Sequence, residues 1–150
     1  MQDKLQLNLP TYDYKLQFKR DKPYIFDIIR KKYIRLEPEE WVRQHFVNYM
    51  IQNGYPTGLI KIESGHQFNN LLRRTDIVAY NREAKAYLLV ECKSPDVNID
   101  KKVLQQVANY NRTLKAPFLA VTNGLKHFFF RIDFKNSSYQ TLTELPPFST

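Results

Sequence analysis

The chain has 150 residues, 43% of them hydrophobic, and a net charge of +8 at pH 7. That length predicts one domain with a real core. One cysteine excludes an internal disulfide and fits a reducing cytoplasm, and four glycines leave no glycine-rich phosphate loop. No secretory leader opens the chain and no apolar stretch approaches 18 residues, so a cytoplasmic protein with no membrane partner is expected. His45, His66 and His127 are scattered, without zinc-ligand spacing. The positive excess favours an anionic partner, with nucleic acid the first candidate.

Residues 1–35 read as an arm, irregular or strand-containing, packed on a domain spanning 36–150. Leu5, Leu7 and Leu9 alternate before Pro10, and Tyr12, Tyr14 and Leu16 after it. Basic residues concentrate here, among them Lys15, Lys19, Lys22, Lys31, Lys32 and Arg35. Tyr14, Phe18, Tyr24, Phe26 and Tyr33 interleave with them. That mixture suits phosphates and stacked bases, with Lys31 and Lys32 as candidate contacts; the aromatics packing on the core is the competing reading. A helix is predicted from Pro38 to about Asn53-Gly54. Glu39 and Glu40 suit the positive end of its dipole. Val42, Phe46, Tyr49 and Met50 form its inner face, which Glu39 would extend.

Three strands are predicted next: Leu59 to Glu63, about Arg74 to Tyr80, and Ala86 to Lys93. The polar link of residues 81–85 has hairpin length. Alternation puts Ala86, Leu88, Val90 and Cys92 on one face and Tyr87, Leu89, Glu91 and Lys93 on the other. Glu91 and Lys93 then project side by side, roughly 6–7 Å apart along the strand. In a suitable register Asp76 approaches both. Charges at the ends of apolar strands are costly unless they meet each other or a metal ion. Two carboxylates with hard oxygen donors suit Mg²⁺ or Mn²⁺. Lys93 would orient water or stabilise developing negative charge. Cys92 points to the opposite face and reads as a small buried apolar residue.

A second helix is predicted from about Asp100 to Leu114, with Val103, Gln106, Val107, Tyr110 and Leu114 on its core face. An amide on an apolar stripe needs a partner. Gln106 would hold the site's geometry or touch a scissile phosphate, and Tyr110 would support it or contact DNA; Gln106 at a wet helix edge is the alternative. Short strands follow at Phe118 to Val121, His127 to Phe134 and Tyr139 to Leu142, with a turn at Asn123-Gly124. The order of elements predicts an α/β domain with a central mixed sheet flanked by the two helices.

Thr75-Asp76 followed by Glu91-Cys92-Lys93 resembles the PD-(D/E)XK nuclease motif, with threonine where the motif's name has proline. The wider context resembles the N-terminal nuclease domain of type I restriction enzyme R subunits and small stand-alone bacterial relatives. It is carried by Pro38-Glu39-Glu40-Trp41-Val42-Arg43-Gln44, Arg74-Thr75-Asp76-Ile77-Val78, Leu89-Val90-Glu91-Cys92-Lys93-Ser94-Pro95, Gln106-x-x-x-Tyr110 and Val121-Thr122-Asn123-Gly124. The resemblance implies the restriction-endonuclease-like fold and a Mg²⁺-dependent DNA endonuclease, alone or as a nuclease subunit. Asp76, Glu91 and the Cys92 backbone carbonyl would hold the metal, and Lys93 and Gln106 would serve the reaction. Glu39 would assist the metal, unless it is only a dipole-capping acid. Tyr110, Lys31, Lys32 and Arg74 would contact nucleic acid. The chain is too short for the motor of R subunits, so other restriction-system subunits are implied partners, and a homodimer is conceivable because many nucleases pair to cut both strands. The alternatives are a non-catalytic nucleic-acid-binding module on the same fold, or an interaction protein whose charges form only a salt-bridge cluster.

Overall fold

The computed structural model describes residues 5–68 and 72–149, and of residues 63–68 and 72–76 the backbone alone. The expected arm folds into a small antiparallel sheet in the order β1 (Leu16–Lys19), β2 (Lys22–Asp27), β3 (Lys32–Arg35). Arg20 and Asp21, at φ 51° and 65°, make the tight turn between β1 and β2. Two left-handed residues match the twist of a two-residue hairpin, here without glycine. Asp27 closes the next turn by accepting the N–H groups of Ile29 at 2.8 Å and Arg30 at 2.9 Å. Leu7 and Ile25 are buried in the same apolar cluster as the following helix and the main sheet.

Helix α1 (Pro38–Gln52) starts on its proline and stops at Asn53, with Gly54 at φ +94°. The fixed proline φ suits a first turn, and glycine suits the left-handed exit. Val42, Phe46 and Met50 are fully buried. Burial is wider than a stripe, however, and takes in Glu40, Arg43, Gln44 and His45 as well.

The main sheet has six strands in chain order: β4 (Ile60–Phe68), β5 (Leu72–Tyr80), β6 (Ala86–Cys92), β7 (Phe118–Thr122), β8 (His127–Asp133) and β9 (Ser138–Leu142). β6 and β7 pair in parallel across the crossover helix α2 (Lys101–Leu114), and the other neighbours are antiparallel. The fold is thus α/β with a mixed sheet between two helices, as expected. Phe46 and Met50 of α1 cluster with Ile77, Ala79, Leu88 and Val90. Val107 of α2 clusters with Val78, Leu89, Leu119 and Val121. These two layers account for the alternation in β5 and in β6 from Leu88 on; a bulge at Tyr87 puts Ala86 and Tyr87 on the faces opposite to those expected, Ala86 with Leu89 and Tyr87 with Leu88.

Asp100 caps α2 by accepting the Val103 N–H at 3.0 Å. Lys115 ends the helix in the left-handed region, and the buried Asn111 side chain clamps the exit. It donates to the Ala116 carbonyl at 2.9 Å and accepts the Ala116 N–H at 3.0 Å. The core face of α2 is Val103, Leu104, Val107, Tyr110 and Leu114. Gln106 is exposed, so its predicted place on that face is corrected. The stripe is rotated toward Leu104 and Asn111, because Asn111 satisfies its amide on backbone and can be buried.

Candidate active site

Strand β6 carries Glu91 and Cys92, and Lys93 follows directly. Glu91 is 3% exposed. Lys93 Nζ stands 3.2 Å from Glu91 Oε2, with 21% of its side chain exposed. The strand end is held by the Lys93 N–H, which donates to Thr122 O of β7 at 2.8 Å. Peptide groups alternate along a strand, so the Cys92 carbonyl turns the other way, toward β5. The Cys92 side chain is buried with the α1 cluster, on the face away from Glu91.

Asp76 is placed by backbone register. Ile77 pairs with Val90, Val78 with Leu89 and Ala79 with Leu88. One further step sets Asp76 opposite Glu91, on the same face. The link fixes this register: Asn81 Oδ1 accepts the N–H groups of Glu83 at 2.9 Å and Lys85 at 3.0 Å. On its other side Asp76 pairs with Glu63 of β4. The three acids therefore occupy one row across three strands; the alternation at 59–63 gave no reason to single out Glu63. The side chains of Glu63, Arg74 and Asp76 lie outside the described residues. Among the described residues, no three His, Cys, Asp or Glu side chains gather to hold a metal. Register sets the backbone of Asp76 opposite Glu91, beside the Cys92 carbonyl, and residues of those types suit a hard divalent cation.

The remaining candidates sit on the two helices and the small sheet. Glu39 does not extend the inner face of α1: its side chain is 47% exposed and pairs with Arg43 Nη2 at 2.7 Å. The inward acid is Glu40, which accepts from Arg43 at 2.5 Å, Gln44 at 2.6 Å and Arg30 at 3.2 Å. Arg30 also binds Asp27 at 2.5 Å, so one ionic chain ties the small sheet to α1. Burial pushes the Asp27 carboxyl up, but hydrogen bonds from Arg30 and its positive charge hold it below the usual range. Burial opposes the Arg43 charge too, and its surroundings at Cys92, Glu40 and Glu39 outweigh that. Sequence spacing could not reveal this chain, because Arg30 joins it from a separate sheet.

Gln106 lines an open groove of about 470 Å³ on α2 with Lys102, Gln105, Asn109 and Arg112. Tyr110 is half-buried against the α2 cluster. Lys31 and Lys32 are exposed at the start of β3.

The loop after Lys93 is well anchored. Asn123 donates to Val97 O at 2.9 Å and accepts the N–H groups of Leu125 and Lys126. Beside the loop, an apolar cavity of about 390 Å³ lies between Trp41, Leu36 and Pro38 on one side and Pro95 and Asp96 on the other.

A buried acid, a lysine and a register-matched second acid thus stand at one end of the sheet of an α/β domain. The chain belongs to the family described as the type I restriction enzyme R protein N terminus, whose model matches residues 38–146. Among solved structures it is similar to a fragment assigned as the HsdR subunit of a type I restriction enzyme from Vibrio vulnificus YJ016, at 20% identity and a TM-score of 0.47. That alignment covers 75% of this chain and 24% of the other. No curated protein matches the chain. Among the described residues no helix is long and apolar enough to cross a membrane.

Proposed function

We propose that the protein is the nuclease part of a restriction system, hydrolysing DNA phosphodiesters with Mg²⁺ or Mn²⁺. The observation that carries this reading is Glu91, buried at the end of β6, 3.2 Å from Lys93 and opposite Asp76 by register. Asp76, Glu91 and the Cys92 carbonyl would hold the cation, with Glu63 next in the row. Bound there, the cation would supply Lewis-acid stabilisation of the charge that gathers on phosphorus. Lys93 Nζ, already positioned by Glu91, would orient the attacking water and share that charge. Gln106 would hold the site's geometry or touch the scissile phosphate, and Tyr110 would support it or contact the DNA. Family membership favours DNA and other restriction subunits as partners.

Purified protein incubated with supercoiled and single-stranded DNA in Mg²⁺, Mn²⁺ or EDTA tests the reading. Cleavage is expected with either metal and lost in EDTA, in Asp76→Ala and in Lys93→Ala. A folded Asp76→Ala protein that still cuts would falsify the assignment. A parent protein with neither cleavage nor a metal-dependent rise in melting temperature would point to a non-catalytic binding module.

A further inference from the structure

The small sheet has a face that the cleavage reading leaves unused. Its register sets the outer side chains in three rows. Gln17, Tyr24 and Arg35 form the middle row, and Lys19 and Lys22 the row beside the tight turn. Phe26 and Tyr33 form the third row, joined by Lys15, whose carbonyl accepts the Phe26 N–H at 3.0 Å. Leu16, Ile25 and Ile34 alternate with these and face inward, where Ile25 is fully buried.

Lys15, Lys19, Lys22 and Arg35 are all exposed, and no acid lies among the strand residues of the three rows; just beyond β3, the exposed Glu37 falls opposite Lys22. Asp21 lies in the turn, and Asp27 is buried on the inner side. Tyr24, Phe26 and Tyr33 are half-buried yet belong to neither apolar core. Lys19 Nζ stands 5.4 Å from the centre of the Tyr24 ring. Phe26 and Tyr33 meet edge to face at 5.3 Å. The face thus carries four cations with three half-exposed rings between the charges.

We propose that this face docks a single-stranded nucleic acid, at a surface separate from the Glu91 site. The cations attract phosphates, and the rings offer stacking platforms to unpaired bases. A duplex hides its base faces and would use the charges alone. Outward residues along a strand repeat about every 6.6–6.8 Å, a step an extended backbone can follow. The face would hold a strand whether or not the other site cuts it.

The test is therefore run in EDTA, by fluorescence anisotropy, with labelled oligothymidylate, its RNA counterpart and a DNA duplex over a range of salt. The parent is expected to bind the single strand in preference to the duplex. K19E/K22E/R35E should weaken that binding about tenfold or more and flatten the salt slope by about 2. Tyr24→Leu should weaken it several-fold and leave the slope unchanged, since it removes a ring and no charge. Because no metal is present, the outcome does not depend on whether the Glu91 site cuts, which separates this surface from failure of the nuclease reading. Equal binding of DNA and RNA supports recognition by phosphate and base stacking alone; DNA preference supports the face as a DNA surface. Unchanged affinity in folded K19E/K22E/R35E overturns the proposal. So does duplex preference, or a loss found only in K101E/K102E/R112E, which would put the strand on α2.

Discussion

Glu91 and Lys93 are neighbours whose energies depend on each other. A carboxylate with 5% of its side chain exposed is costly without its partner. Lys93→Met should destabilise the protein by about 1–3 kcal/mol in EDTA, read from urea unfolding. Glu91→Gln in the same chain should recover most of that, because the buried carboxylate that lost the ammonium is then neutral. Asp76 carries the opposite sign of effect. Opposite Glu91 in register, it would add like-charge repulsion when no cation is present. Asp76→Asn should raise the melting temperature in EDTA and remove any further rise on adding Mg²⁺. A fall in EDTA would mean the two acids do not share a site.

The elements that hold the site are fixed by short-range bonds that can be broken singly. Asn111→Ala would leave the N–H and C=O of Ala116 unpaired in a buried place, at a cost of about 2 kcal/mol. Because α2 leads into β7, and β7 anchors the Lys93 N–H, the same variant should raise hydrogen exchange at Lys93. Gly124, at φ +88°, is more confined: a Cβ there would come within 2.8 Å of Leu7 and 3.0 Å of Val42. Gly124→Ala should therefore destabilise the fold through both backbone strain and that clash, visible as a lower urea midpoint. Much of this scaffold was legible in the sequence. Pro38, Asn53-Gly54 and Asp100 punctuate helices by local chemistry, and the alternation of 88–92 is the signature of a strand with two differently covered faces. The small sheet was not legible, because its tight turn uses Arg20 and Asp21 where glycine is the usual signal. Glu40 was hidden by a helix buried nearly all round, where no polar face marks the outside. The pair Glu91 and Lys93 was readable because both lie on one strand; Glu63 was not, since only strand pairing across β4 and β5 brings it into the row.

At the scale of the molecule, a buried histidine, His45, and a half-buried one, His127, set a pH limit. Burial pushes both His45 and His127 below the usual value of 6.5. His127 Nε2 lies 2.8 Å from Asn8 O and Nδ1 2.7 Å from Thr122 Oγ1, an arrangement the neutral ring satisfies by donating from Nε2 and accepting at Nδ1. The unfolded chain binds protons more readily than these rings do. Their contribution is therefore complete above about pH 6.5 and is lost as pH falls through the lowered values. Asp27 acts in the same direction but in a lower window, since its carboxyl is also depressed. Urea midpoints followed from pH 8 to pH 3 should fall in two steps, the first beginning near pH 6. His127→Gln should shrink the first step and leave the second.

The sequential strand order has a consequence for the timing of biosynthesis. Asp76 and Glu91 are joined by a local hairpin that can close as soon as β6 emerges, since short loops form far faster than residues are added. Thr122, which receives the Lys93 N–H, comes about thirty residues later, after the whole of α2. At ordinary rates of synthesis that is a delay of a few seconds. A growing chain thus aligns its acids well before it fixes its lysine, and stalled translation within α2 would leave a half-assembled centre with a row of negative charge and an untethered Lys93.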